Sequence, residues 1–398
     1  MIKKTSNIIL RINEQDHKTI KIKSAIYGKN KSNFIREASL SYIKKDKSEF
    51  KKLLELYKKD SDCQEDIIEM LFNYYRNNGF PYYVLSDEEK NKKMLALFKT
   101  PSPLLENDLL QSNHVGTTLA SSFHKHLLEM EYYNSSNMSP MNAFIDDEKF
   151  RDCIKRTLDL DIIPDHVGMR KILRTRNGVR SVTNFKPAIA KFIYDTYAPE
   201  NGRVIDPCAG FSGRLCGAIA SNKNLSYTGI DPDERTIKGN VECTSSFKKD
   251  YKFNTGFYID CAEDVMPKLR GNYYDLVFTS PPYFDVEKYS DDKTQSMIKF
   301  SQYQEWLDGF LYKIVEESHR VLKNGFYFAI NIKNYNNHKI ADDFLNYAKK
   351  IGFTLEKTYR MKLANNEFHR KIGQVNYHTE PIFILRKINS SDIHNSQI

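Results

Sequence analysis

The sequence has no C-x-x-C pair. Its six cysteines (63, 153, 208, 216, 243 and 261) are scattered, which argues against a structural zinc centre and against a disulfide framework. No metal is expected. No apolar run approaches the roughly 18 residues that a membrane-spanning helix needs, and Met1-Ile2-Lys3-Lys4 is not followed by a signal-type apolar stretch. The expectation is a cytoplasmic protein with no membrane partner. Tryptophan is nearly absent: Trp306, the single one, lies in a helical pattern over 302–323 and is expected in the core. No repeat or low-complexity tract stands out. What is present is ample for packing. The 398 residues are 40% hydrophobic and 13% aromatic, which excludes a wholly disordered chain and suggests two or three domains.

The net charge of +9 has one source. Residues 1–60 hold 16 Lys and Arg against 7 Asp and Glu, so the other 338 residues sum to zero. A basic head on a neutral body reads as a nucleic-acid-binding module attached to something else. Within it, residues 7–12 (N-I-I-L-R-I) form a short β-branched run, 14–27 read as a helix, 28–30 as a turn and 31–45 as a second helix. So small a unit cannot bury a core alone, and its strand must pair with a second copy, predicting a homodimer.

Leu10-Arg11-Ile12-Asn13-Glu14 and Lys31-Ser32-Asn33-Phe34-Ile35-Arg36-Glu37-Ala38 resemble the ribbon-helix-helix family of DNA-binding proteins. The resemblance implies an antiparallel ribbon in the DNA major groove. Period-2 alternation puts Ile8, Leu10 and Ile12 inward and leaves Asn7 and Arg11 outward, where both residue types can pair with base edges. Lys31 and Ser32 open the second helix, whose free N–H groups suit a phosphate.

Residues 48–65 look like a charged linker helix, and 66–180 like a mainly helical, partly irregular segment that could recognise a target. A helix over 65–77 ends at Gly79, and Ser86-Asp87-Glu88-Glu89 is a capping box opening a helix to about Phe98. The basic clusters Arg170-Lys171 and Arg174-Thr175-Arg176 could line a DNA groove.

From Arg203 the pattern changes. Short apolar strands at 203–206, 226–230, 256–259, 274–279, 326–333, 353–361 and 381–387 alternate with helical stretches, predicting an α/β fold with a doubly wound, mostly parallel, seven-stranded sheet over 181–388. Residues 389–398 are a polar tail. Ligands in such sheets sit at the carboxyl ends of strands, and distinctive residues fall there. The first strand runs into Asp206-Pro207-Cys208-Ala209-Gly210-Phe211-Ser212-Gly213-Arg214, a glycine turn. The second ends at Asp231, 21 residues after Gly210, placed to take ribose hydroxyls. The third ends at Asp260-Cys261, where an acid can accept from the amine of adenine. The fourth ends in Ser280-Pro281-Pro282-Tyr283.

These residues resemble the S-adenosylmethionine-dependent amino-methyltransferases of DNA, including phage-type members and those of restriction-modification systems, over roughly residues 66–388. The resemblance implies S-adenosyl-L-methionine as cofactor, with Asp206, Ala209, Gly210 and Gly213 around its methionine part, Asp231 on the ribose, and Asp260 with Cys261 at the adenine. It also implies that Phe185, in Asn184-Phe185-Lys186-Pro187, closes over the amino-acid end. One departure stands out: members commonly have Gly where this chain has Ser212, and Thr where it has Gly213.

The tetrapeptide suits the chemistry on its own terms. An exocyclic amine is a weak nucleophile because its lone pair is delocalised into the ring. Acceptors on its N–H groups, the Ser280 hydroxyl and the Pro281 carbonyl, favour tetrahedral nitrogen and stabilise developing positive charge. Pro281 and Pro282 fix the backbone, and Tyr283 offers a face to a flipped-out base. Carbon-5 methylation is excluded, since its Pro-Cys nucleophile would stand where Ser280-Pro281 stands. Hydride transfer is disfavoured because no full G-x-G-x-x-G is present. Phe278-Thr279-Ser280-Pro281-Pro282-Tyr283 resembles the cytosine-N4 pattern more than the adenine-N6 one. The reading is a site-specific methyltransferase of double-stranded DNA. Its rivals are an adenine-N6 enzyme, a DNA-binding regulator with a silent methyltransferase half, and an RNA methyltransferase.

Overall fold

A computed structural model describes residues 47–111, 113–133, 136–335, 337–363 and 379–388. The ribbon-helix-helix expectation, with Asn7, Arg11, Lys31 and Ser32, lies outside the described residues. The described chain divides into two compact units, one holding 47–82 and Ser136–Ser181, the other holding Tyr83 to 133 and the chain from Val182 onward.

The first unit is helical. Lys47–Lys59, expected as a charged linker, buries one face: Phe50, Leu53, Leu54 and Tyr57 recur at helical spacing, and only their lysine-rich neighbours face water. Gln64–Asn78 follows and ends as expected at Gly79, whose φ of +81° lets its N–H reach Tyr75 O at 2.8 Å. Two of the arginines expected along a DNA groove are instead spent inside this unit. Arg170 is buried and donates to the carbonyls of Pro81 (2.7 Å) and Tyr82 (2.9 Å). Arg176 makes a two-pronged pair with Asp152 (2.7 and 2.6 Å), which holds the Asp152 carboxyl below the usual carboxylate range.

The second unit is built on a sheet. Its strands are β1 (Leu109–Leu110), β3 (Arg203–Asp206), β4 (Ser226–Ile230), β5 (Asn254–Tyr258), β6 (Tyr274–Thr279), β8 (Leu322–Asn331), β9 (Phe353–Lys362) and β10 (Thr379–Lys387); β2 (Glu131–Tyr132) and β7 (Glu287–Lys288) form a separate antiparallel pair. The sheet order is β1-β9-β10-β8-β6-β3-β4-β5. It has eight strands where seven were expected, because two-residue β1 adds to the β9 edge in parallel. Only β10 runs antiparallel to its neighbours. The chain moves outward from β3 through β4 to β5, then returns to β6 on the other side of β3. That reversal opens a crevice at the carboxyl ends of β3 and β6.

Period-2 alternation splits the core between the two faces. Val204, Leu276 and Phe278 pack with the helices Pro187–Tyr197 and Gly213–Ala220, while Ile205 and Val277 pack with the helices on the opposite face. Trp306 lies wholly buried in that second cluster, its indole N–H donating to Ser296 Oγ at 3.2 Å. The Ser86 capping box forms in both directions: Ser86 Oγ accepts from Glu89 N (3.2 Å) and Glu89 Oε2 from Ser86 N (2.8 Å).

Candidate active site

The loop after β3 is tied to both neighbouring strands. Ala209 N donates to Ile230 O at the end of β4 (2.8 Å), and Cys208 N to Thr279 Oγ1 at the end of β6 (3.1 Å). Asp206 lies beneath the loop, fully buried. Its carboxylate accepts from Arg214 Nε (2.7 Å) and Nη2 (3.2 Å) and from the Tyr227 hydroxyl (2.8 Å). A buried ion pair with this many partners fixes where the strand stops and the helix Gly213–Ala220 begins. The structure thus places Asp206 as the loop's support.

Two glycines work differently here. Gly210 has φ +57°, and a Cβ on it would meet only Arg214 Nη2 and Cys208 O, both at 3.8 Å. Its backbone therefore faces open space that a ligand can approach. At Gly213 a Cβ would lie 2.4 Å from Asn184 Oδ1 and 2.4 Å from Phe185 O, so no other residue fits without displacing that segment. Ser212 takes the left-handed conformation (φ +59°), which costs an ordinary residue roughly 1–2 kcal/mol. The departure read from the sequence is now explained: the chain gives up glycine where it needs a left-handed turn and spends it where Asn184-Phe185 presses in. Asn184 Nδ2 donates to Phe211 O at 2.5 Å, and the Phe185 ring packs edge-on to Phe278 at 5.5 Å and under the Arg214 guanidinium at 5.4 Å.

Asp231 stands across the loop from Gly210. Its carboxylate accepts from Gly210 N and Asp233 N, both at 3.0 Å, yet burial dominates and pushes its pKa up to about 7. Asp260 is exposed beside the equally exposed Tyr258 and Ile259, and accepts from Cys261 N at 2.8 Å. Cys261 is buried, with its thiol pushed up to about 12 by burial and Glu263, so it stays a neutral thiol. Asp260, Cys261 and Asp264 bring ligand atoms within 4.8 Å of one another, but Lys299 Nζ already pairs with Asp264 at 2.6 Å.

Ser280-Pro281-Pro282-Tyr283 leaves the tip of β6, directly beside the loop. Ser280 Oγ donates to Asn331 Oδ1 (3.3 Å), whose amide donates to Pro381 O (2.9 Å). With its proton directed at Asn331, the hydroxyl keeps its lone pairs for an incoming N–H. Burial, with Glu380 and Glu287 nearby, raises the Tyr283 hydroxyl well above its usual pKa, so it remains a neutral phenol. Phe284 turns away into the core against Tyr303 and Trp306.

Several residues here carry no local sequence signal. The segment 117–133, read as irregular, packs on the loop. His124 and His126 lie against Phe211, each with ring centroids 5.6 Å away, and Tyr289 faces it at 6.1 Å. The β2–β7 pair joins this segment to residues 287–288, just beyond the tetrapeptide. Asn240, Thr236 and Arg214 complete the support. The one available clue is Gly239, a glycine inside the helix Glu234–Phe247, where an added Cβ would lie 2.4 Å from His124 Cε1.

Against this geometry, residues 274–396, about a third of the chain, match the family model of the N6 and N4 type described as DNA methylase. No curated protein matches the sequence. Solved structures with a similar fold include an S-adenosylmethionine-dependent methyltransferase from Methanosarcina mazei (15% identity, 49% of this chain and 97% of that one, TM-score 0.34). Others are a methyltransferase from Pyrococcus furiosus (12%, 55% and 94%, 0.36) and TrmN from Thermus thermophilus (16%, 51% and 49%, 0.34). The open backbone at Gly210 beside Asp231 fits a cofactor of this kind. The match over residues 274–396 is to DNA methylases of the type that acts on amino groups, and the methyl donor it implies is S-adenosylmethionine.

Proposed function

We propose that the protein methylates the exocyclic amine of a base in double-stranded DNA, at cytosine N4 ahead of adenine N6. The observation that carries this is the 3.1 Å bond from Cys208 N to Thr279 Oγ1, which fastens the glycine loop to the strand that ends in Ser280-Pro281-Pro282-Tyr283. Donor-side and acceptor-side groups would thereby be held together at the fastened tips of two neighbouring strands, β3 and β6.

Bound S-adenosylmethionine supplies an electrophilic methyl group. Gly210 and Ala209 would hold its methionine end with Phe185 above, Asp231 would accept from the ribose hydroxyls, and Asp260 with Cys261 would meet the adenine. Ser280 Oγ and Pro281 O accept the two amine hydrogens, which localises the nitrogen lone pair and offsets the positive charge that grows on nitrogen. Tyr283 stacks on the extruded base, and the amine gives its surplus proton to solvent once the methyl has moved. A neutral Ser280 serves either amine, and the preference for cytosine rests on the resemblance of Phe278-Thr279-Ser280-Pro281-Pro282-Tyr283 to the cytosine-N4 pattern. Residues 1–47 are proposed to dimerise and grip duplex DNA, with Asn7 and Arg11 on base edges and Lys31 and Ser32 on phosphate.

Ser280→Ala combined with Tyr283→Ala should leave S-adenosylmethionine binding within about threefold and lower kcat by about 10²–10³, the scale of a lost charge-stabilising contact. Calorimetry and single-turnover methyl transfer check it, and unchanged turnover removes the assignment.

A further inference from the structure

Beneath the glycine loop lies a closed chain of hydrogen bonds whose parts come from three distant stretches. His124 Nε2 meets Ser212 Oγ at 2.7 Å, Ser212 Oγ meets Asn240 Oδ1 at 2.6 Å, and Asn240 Nδ2 donates to Gly210 O at 3.0 Å. All three side chains are at most 1% exposed. The proton positions follow from bookkeeping. Gly210 O can only accept, so the Asn240 amide nitrogen faces it and the Asn240 oxygen faces Ser212. The single Ser212 proton goes to that oxygen, so His124 must donate through Nε2–H.

That tautomer leaves Nδ1 bare, and it has no partner. The ring sits so close to Gly239 that a Cβ there would lie 2.5 Å from Nδ1, which leaves no room for one. A buried acceptor without a donor costs stability that a hydrocarbon ring of the same size would not incur. What the imidazole adds is one N–H aimed at Ser212. Burial also drives its pKa well down, with His126 in the same direction and Asp233 opposing, so the ring stays neutral. Ser212 in turn is the non-glycine residue held at φ +59°, and Gly210 is the residue whose N–H reaches Asp231.

We propose that His124 is a positioning residue for the methyl donor: its Nε2–H pins Ser212 in the left-handed turn and, through Asn240, fixes the Gly210 carbonyl and so the residue whose own N–H orients Asp231 beside the cofactor. This rests on the donor site lying at the glycine loop, as read above. The imidazole touches no reacting atom, so its loss acts on donor affinity and spares the chemical step.

The test is calorimetric binding of S-adenosylmethionine to the full chain, paired with steady-state methyl transfer to duplex DNA. His124→Ala should raise the Kd for the donor about tenfold, the effect of one buried hydrogen bond, with kcat at saturating donor and KM for DNA within about threefold. His124→Gln, which places an amide N–H at similar reach, should restore Kd to within about threefold of the original. An unchanged Kd in His124→Ala, or a Kd that glutamine does not restore, overturns the proposal. If His124→Ala fails to fold, Ser212→Ala decides in the same way, weakening donor binding about tenfold if the network matters and leaving it unchanged if it does not. Asp231→Ala separates the two readings. Unaltered donor binding in that variant refutes the site itself, whereas weakened binding there with none in His124→Ala refutes only the role of the histidine.

Discussion

At the scale of single residues, the groups proposed to lie nearest the chemistry are those that carry a local signal in the sequence. Gly210, Asp231 and Ser280-Pro281-Pro282-Tyr283 each follow a strand and need an unusual backbone or a particular functional group, so their type and spacing are informative. Asp231 yields a pH prediction. Its pKa is raised by burial to about 7, so in the free protein the carboxylate proposed to accept ribose hydroxyls is present above that pH and disappears below it. Donor affinity should therefore be level above about pH 8 and fall towards tenfold per unit below about 6, with Asp231→Asn weaker and flat across the range. Binding titrations between pH 5.5 and 8.5 check this, and a flat profile for the unaltered protein contradicts it. The supporting residues were not legible. His124 and Ser212 meet across 88 positions, and nothing around either announces the other.

At the scale of elements, legibility follows how local the determinants are. The Ser86–Glu89 capping box is written in four consecutive residues, and the Gly79 stop in one. The strands of the sheet are visible because their apolar runs are bounded by polar turns. By contrast, β1 is two residues long and exists only because β9 offers an edge. The helix Lys47–Lys59 reads as a charged linker because its five lysines equal its five apolar residues in number, although Phe50, Leu53, Leu54 and Tyr57 share one buried stripe. Leu53, 1% exposed, should therefore matter: Leu53→Ala should cost about 2–5 kcal/mol in chemical denaturation of this unit. A solvated linker helix would lose less than about 0.5 kcal/mol.

At the scale of the whole molecule, the charge is concentrated in the first 60 residues, and the arginines 170 and 176 further along are consumed by internal partners. On the proposed function, non-specific grip on the phosphate backbone would then fall mainly to the basic head. In the full chain, Lys31→Ala should weaken binding to all duplexes alike and lower the slope of log affinity against log salt by about 1, while Arg11→Ala should cost about 1–3 kcal/mol and relax sequence preference. Equal salt slopes for Lys31→Ala and the unaltered protein would give the head another task.

That two fastened strand tips bring a methyl donor to a base amine is tested by transfer of labelled methyl from S-adenosylmethionine to duplex DNA followed by separation of the nucleosides. The account predicts label in N4-methylcytosine, dependent on Ser280 and Tyr283. Label in N6-methyladenine would keep the chemistry and overturn the choice of base; label at carbon 5 of cytosine, or none in DNA at all, would contradict the claim.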